Sequence, residues 1–142
     1  MIWLLRHGEA ADGSPDAERP LTEKGEQQAR NAGAALKRLG VKIEMCFTSP
    51  KVRAADTAKL ACLELGIDYN LEPRLAGGPF DPEELAAGFG DVLLVGHDPD
   101  FSTAVHDLTG AQLRMKKGGL ACVEPGELHA LLRPLELEAI AS

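Results

Sequence analysis

Cysteine is scarce in this chain. Cys46, Cys62 and Cys122 stand far apart in 142 residues, are odd in number and form no Cys-x-x-Cys pair. They read as buried free thiols in a reducing compartment. Basic residues are also outnumbered. Fifteen Lys and Arg against 22 Asp and Glu give a net charge of -7. That balance argues against a general nucleic-acid binder, which shows a basic excess or stripe. It leaves room for an anionic substrate, because a few arginines can bind phosphate inside an acidic protein. No apolar run approaches the roughly 20 residues that span a bilayer, so no membrane partner is expected. Met1-Ile2-Trp3-Leu4-Leu5 is too short for a signal peptide and is stopped by Arg6, so a soluble, cytoplasmic protein is expected. There is no internal repeat and no low-complexity segment. With 44% hydrophobic and 26% charged residues, the composition is that of a globular chain, and its length predicts one domain over residues 1–142. Such a chain can bury roughly 68–70% of its unfolded surface and needs no disulfide or metal staple.

What is present is an alternation of short apolar runs and helical patterns, which predicts a mostly parallel sheet with covering helices. Ile2 to Leu5 reads as a buried strand. A loop rich in Asp, Gly, Ser and Pro runs from Glu9 to Pro20. Thr22 is then a good N-cap, Ala29, Ala32, Leu36 and Leu39 lie at helical spacing, and Gly40 ends the helix. Ile43 to Phe47 reads as the second strand. Ser49 stands as an N-cap with Pro50 at the first helical position. Ala55, Ala58, Cys62 and Leu65 mark the buried face of that helix, and Gly66 closes it. Tyr69 to Leu71 gives a short third strand. Glu72 to Gly90 is the least regular stretch, with one short helix at Asp81-Pro82-Glu83-Glu84. Val92 to Val95 is the fourth strand. Asp98-Pro99 repeats the pattern of cap and proline, before a helix whose apolar face is Phe101, Ala104, Val105 and Leu108. From Gly119 onward two strand-like runs flank Pro125-Gly126, a turn signal that predicts a C-terminal hairpin.

Three distant groups then share one address. Arg6-His7-Gly8 follows the first strand, Ser49-Pro50 and Arg53 follow the second, and Gly96-His97 follows the fourth. Open α/β sheets bind ligands outside the carboxyl ends of their strands. Helical side chains lean toward the helix N-terminus, so Arg53 should aim back over the strand end. Helix N-termini near Ser49 and Asp98 would add N–H groups and positive dipole ends. Two arginines, two histidines and helix N-termini around one spot describe a phosphate site.

At these residues the chain resembles the histidine phosphatase superfamily. Leu5-Arg6-His7-Gly8-Glu9 carries the Arg-His-Gly signature. Arg19-Pro20-Leu21-Thr22 with Gly25, Thr48-Ser49-Pro50 with Arg53-Ala54 and Thr57, and Val95-Gly96-His97 follow in order and spacing. The short length and the Arg19-to-Thr22 block are most similar to the small SixA-type phosphohistidine phosphatases. The resemblance implies a three-layer α/β/α, phosphoglycerate mutase-like fold. It implies a metal-independent phosphatase without a cofactor. His7 would attack phosphorus in line and become a covalent phosphohistidine that water hydrolyses. Arg6, Arg53 and Arg19 would neutralise the phosphoryl group and depress the His7 pKa. His97 would donate to the phosphoryl oxygens, and Ser49 is a further phosphate-binding candidate. The substrate implied is phosphohistidine on a signalling or phosphocarrier protein. A small-molecule phosphomonoesterase and a non-catalytic phosphate- or phosphoprotein-binding module are the alternatives.

Several residues keep a plainer reading beside the functional one. Arg53 could be a surface residue paired with Asp56 or Asp12, Arg19 a structural loop arginine, and Ser49 only a helix cap. His106 and His129 read as ordinary helix and strand residues, Lys116-Lys117 as a solvated pair, and Gly77-Gly78 as a loop or a mobile lid. Larger family members place an acid over the leaving group from the region after the third strand. Here Glu72, Asp81, Glu83 and Glu84 fall there without a matching motif, and Glu9 or Asp98 could supply the proton instead.

Overall fold

The strands are continuously apolar because both of their faces are covered. In β1 (Ile2–Arg6), Trp3 and Leu5 join one core while Ile2 and Leu4 join the other. The same alternation splits Leu93 and Val95 from Val92 and Leu94 in β4 (Asp91–Gly96), and Leu120 and Cys122 from Ala121 and Val123 in β5 (Leu120–Glu124). Period-two alternation in a sheet buried on both sides explains why the sequence shows runs rather than stripes. The computed structural model describes residues 1–142. The other strands are β2 (Ile43–Thr48), β3 (Asn70–Leu71) and β6 (Glu127–Leu132). The order is β3-β2-β4-β1-β5-β6. Pairing is parallel from β3 to β1 and antiparallel from β1 to β6. The predicted three-layer architecture and C-terminal hairpin are therefore present, and the hairpin adds two antiparallel strands to the main sheet.

One face is covered by α1 (Glu23–Arg38), α2 (Val52–Leu65) and α5 (Pro134–Ala141), the other by α3 (Pro82–Ala86) and α4 (Asp100–Thr109). Helix α5 was not expected. Its signals are short: Pro134 at the first turn, and Glu136 accepting the Arg133 backbone N–H at 2.9 Å. Thr22 caps α1 as predicted, accepting from the Gly25 N–H at 3.1 Å. Leu39, predicted on the buried face, lies just past the helix and is 51% exposed. In α2 the buried stripe is Ala54, Ala58, Ala61 and Cys62 rather than Ala55, and Leu65 is half-buried against the same core. Two contacts set that rotation. The helix turns Arg53 and Thr57 inward, and Gly33 of α1 lies so close to the Ala61 backbone that no side chain would fit. All three cysteines are buried and free. No helix is long and apolar enough to cross a membrane.

Two helices start later than the sequence suggests. Helix α2 begins at Val52, because Ser49 Oγ accepts the Lys51 N–H (3.2 Å) in a turn before the helix. Helix α4 begins at Asp100, two residues after Asp98, whose carboxylate nevertheless accepts from Ser102 N–H at 2.9 Å. Both helix N-termini still end at the same edge of the sheet.

Candidate active site

The ends of β1, β2 and β4 are tied to one another by backbone. His7 N–H donates to the Gly96 carbonyl at 3.0 Å, and Ser49 N–H to the Val95 carbonyl at 2.9 Å. These bonds bring His7, Ser49 and His97 together, with the His7 and His97 ring centroids 5.3 Å apart. A pocket of about 300 Å³ opens here. It is lined by Arg6, His7, Arg19, Arg53 and His97, and also by Lys51 and Lys117, with Asp98 and Asp100 as the carboxylates. Five cations against two carboxylates in a chain of net charge -7 is a sharp local reversal.

His7 is 6% exposed and its Nδ1 lies 2.7 Å from the Gly8 carbonyl oxygen. A carbonyl only accepts, so the proton of the neutral ring is on Nδ1 and the lone pair is on Nε2. Burial is the largest cause that lowers the His7 pKa to about 4; the Gly8 bond opposes it, and Arg53, Arg6 and Lys117 add to it. The expected depression is present, but desolvation outweighs the arginines that the sequence pointed to. His97 is lowered further, to about 3, by burial first and then by His7, Arg53 and Lys51. Both rings are neutral near pH 7. Ser49 does not line the pocket. It is fully buried, and its Oγ shares a 2.8 Å hydrogen bond with His97 Nε2.

Arg53 is 7% exposed, and its partner is neither Asp56 nor Asp12. Its guanidinium donates to the Asp16 carbonyl (2.9 Å) and carboxylate (3.2 Å). Arg19 joins the same acid at 3.1 Å and also donates to the Ala11 carbonyl at 2.9 Å. It is both a loop brace and a pocket residue. Arg6 donates to the Met115 carbonyl at 2.8 Å, and its buried Nε–H has no protein partner. A buried donor without a partner is costly, and a ligand oxygen would satisfy it. Thr57 explains its place in the second sequence block. Its Oγ accepts the Gly8 N–H at 3.1 Å and donates to the Arg53 carbonyl at 2.7 Å, joining the two halves of the site.

The glycines of the sequence blocks are steric. A Cβ on Gly8 would lie 2.5 Å from the Gly25 carbonyl oxygen, and one on Gly25 would collide with the Glu9 backbone. The loop after β1 can only lie against α1 because both residues are bare. The sequence reading missed Asp16, Lys51 and Lys117. Asp16 and Lys51 sit close in sequence to recognised positions; Lys117, read as half of a solvated pair, stands in the turn before β5 and lines the pocket. Of the acids considered, Glu72 and Glu84 are paired with Arg74, and Asp81 caps α3. Glu83 and Glu9 lie outside the pocket as well, so Asp98 is the one predicted acid that lines it, joined by Asp100.

The surplus of cations around two neutral imidazoles suits a tetrahedral oxyanion, and the sheet edge is where doubly wound folds hold phosphate. The chain belongs to the histidine phosphatase superfamily, branch 1, whose family model matches residues 2–80. An uncharacterized protein of Picosynechococcus sp. is 36% identical over 141 residues, covering 88% of this chain and 85% of that protein. The mitochondrial serine/threonine-protein phosphatase Pgam5 of Drosophila persimilis is 44% identical over 87 residues, 58% of this chain but 30% of that longer protein. Among solved structures, the protein histidine phosphatase SixA complexed with tungstate superposes with a TM-score of 0.82 at 26% identity, covering 96% of this chain and 98% of that one. A phosphoglycerate mutase of Thermus thermophilus shares the fold, with a TM-score of 0.65 at 22% identity, covering 92% and 97%.

Proposed function

We propose that this protein is a metal-independent phosphatase that takes a phosphoryl group onto His7 Nε2, and that its substrate is phosphohistidine on a signalling or phosphocarrier protein. The observation that carries the reading is the bond between His7 Nδ1–H and the Gly8 carbonyl. It leaves the Nε2 lone pair free in a ring that burial keeps neutral. In the first step that lone pair attacks phosphorus and the bond to the leaving group breaks, with a proton going to the departing atom. In the second, water attacks the phosphorus on Nε2, the P–N bond breaks, and inorganic phosphate leaves with His7 restored. Arg6, Arg19 and Arg53 hold the phosphoryl oxygens, and neutral His97, steadied by Ser49, donates to them as charge develops. The guanidinium and ammonium groups supply the positive charge that a metal ion would otherwise bring.

Two observations favour phosphohistidine. No carboxylate from the segment after β3 reaches the pocket, and an imidazole leaving group needs less protonation than an alkoxide. SixA, the tungstate-bound phosphatase above, is similar over nearly the whole chain. The second reading, a phosphatase of small phosphate esters, draws on Asp98 and Asp100, which line the pocket and could protonate an ester oxygen. The three buried free thiols fit the cytoplasmic setting proposed with either reading. The test is phosphate release from a phosphohistidine protein and from an aryl phosphate, with chelator present, by wild type and His7→Ala. Preference for phosphohistidine, lost in the variant, supports the first reading, and turnover of esters alone supports the second. Phosphate binding without turnover of either substrate overturns both in favour of a binding module.

A further inference from the structure

Beside the catalytic pocket lies a larger groove of about 880 Å³, bounded by the outer face of α1, residues 114–117 and the start of α5. We propose that this groove docks an acidic segment of the protein that carries the phosphoryl group; the proposal rests on the phosphoprotein reading above. The groove holds six cations, Arg6, Lys24, Arg114, Lys116, Lys117 and Arg133, against Glu9 and Glu138. Two of the six are already compensated. Lys24 lies 3.7 Å from Glu9, and Arg133 is bound by Glu136. Arg114, Lys116 and Lys117 are exposed and take part in none of the ion pairs of the structure. Three uncompensated cations within four residues stand out in a chain of net charge -7.

The basic strip is anchored by hydrogen bonds and joined to the catalytic pocket. Met115 at its centre is fully buried; its N–H donates to Ser102 Oγ (3.1 Å) and its carbonyl accepts from Arg6 (2.8 Å). Gly118 N–H donates to the His7 carbonyl at 2.9 Å. Arg6 and Lys117 line both cavities. An anionic segment in the groove would therefore continue into the reacting phosphoryl group. The smaller pocket suits a phosphoryl group and its leaving atom; the larger has the volume of a site for several peptide residues. The groove has no aromatic side chain on which a base could stack, and it is concave, with Pro134 and Leu135 as its accessible apolar residues and Met115 buried beneath it. Those features favour an acidic peptide over a nucleic acid or a lipid surface.

The direct probe is a fluorescein-labelled, Glu-rich peptide without phosphate, read by anisotropy against wild type and the double variant Arg114→Glu/Lys116→Glu. Binding to wild type that weakens with salt and falls roughly tenfold or more in the variant is the expected result. No binding to wild type, or equal binding to both, overturns the proposal. So does stronger, variant-sensitive binding of single-stranded DNA or of phosphatidylserine vesicles. A kinetic arm separates this proposal from the function on which it rests. Phosphohistidine peptides with acidic and with neutral flanks are compared beside an aryl phosphate. The variant should raise KM for the acidic peptide alone and leave aryl phosphate turnover within about twofold, which also shows that it is folded. Failure of every phosphohistidine peptide with aryl phosphate turnover intact sinks the substrate reading, while the anisotropy result still decides the groove.

Discussion

In the parallel half of the sheet, β1, β2 and β4 all end at one edge, and each end delivers part of the pocket: His7, then Arg53, then His97 with Ser49 behind it. The antiparallel half behaves otherwise. Strand β5 starts at that edge, where Leu120 faces Leu5, and leaves it, so that Val123 faces Ile2 at the far end. The strands flanking its turn carry Glu124, Glu127 and His129, a cluster away from the site. The antiparallel half contributes support instead. The chain entering β5 brings Lys117 to the rim and gives Arg6 two anchors, the Met115 carbonyl and the Gly119 carbonyl. Parallel strands gather successive chain ends at one edge, so distant residues meet without long loops. Antiparallel strands alternate edges and can hold a site without filling it.

Substitutions in the two halves should separate accordingly. The largest effect is expected for His7→Ala, which removes the nitrogen proposed to attack phosphorus. Aryl phosphate turnover should fall roughly 10⁴–10⁶-fold with no acid-labile phosphoenzyme trapped, while the melting temperature holds. Residual turnover near wild type would break the assignment of the parallel half. Arg53→Ala should lower kcat/KM by roughly 10²–10³-fold, since it removes a buried cation that lines the pocket and is proposed to hold the phosphoryl oxygens. Gly25→Ala forces a Cβ into the Glu9 backbone. It should cost about 1–3 kcal/mol in urea unfolding, and turnover should fall with it as the loop carrying Gly8 shifts.

Acid should destabilise the protein in a window set by the same half. Below the ordinary histidine value of 6.5, the unfolded chain binds a proton on His7 and on His97. The folded chain binds them only near pH 4 and pH 3. Protons then favour the unfolded state. Unfolding free energy should fall as pH drops from about 6.5 toward 4, by at most about 1.4 kcal/mol per pH unit for each ring. Melts at pH 7.5, 6 and 5 read this slope, and His97→Asn should reduce it. The smallest effect belongs to the other half. His129→Ala removes an exposed ring paired with Glu124 at 2.8 Å. It should change stability by less than about 0.5 kcal/mol and leave turnover unaltered. A large loss there would show that the hairpin takes part in the chemistry.

Much of this was legible in the sequence because parallel strands place their consequences at strand ends. Arg6-His7, Ser49 with Arg53, and Gly96-His97 could be set at one edge from the strand pattern alone. Arg19 was legible only by its sequence block, and its bond to Asp16 was not. What escaped depends on partners distant in sequence. Lys117 arrives from the turn that leads into an antiparallel strand, and Ser49 lies behind His97 rather than in the pocket. Thr57 and Gly25 stood in the right blocks, but their roles depend on interatomic contacts that spacing does not reveal. The late starts of α2 and α4 escaped for the same reason. Ser49 and Asp98 look like caps, yet Ser49 is shared with His97 and Asp98 bonds four residues ahead.

The carbonyl of Gly8 also has a regiochemical consequence. Because it holds the proton on the near nitrogen of His7, any phosphoryl group that the ring accepts must reside on the far one. The trapped enzyme would then be a single isomer, 3-phosphohistidine, with none of the 1-phospho form. Isomer-selective antibodies or phosphorus–nitrogen couplings in a labelled ring would read out the direction of one backbone oxygen.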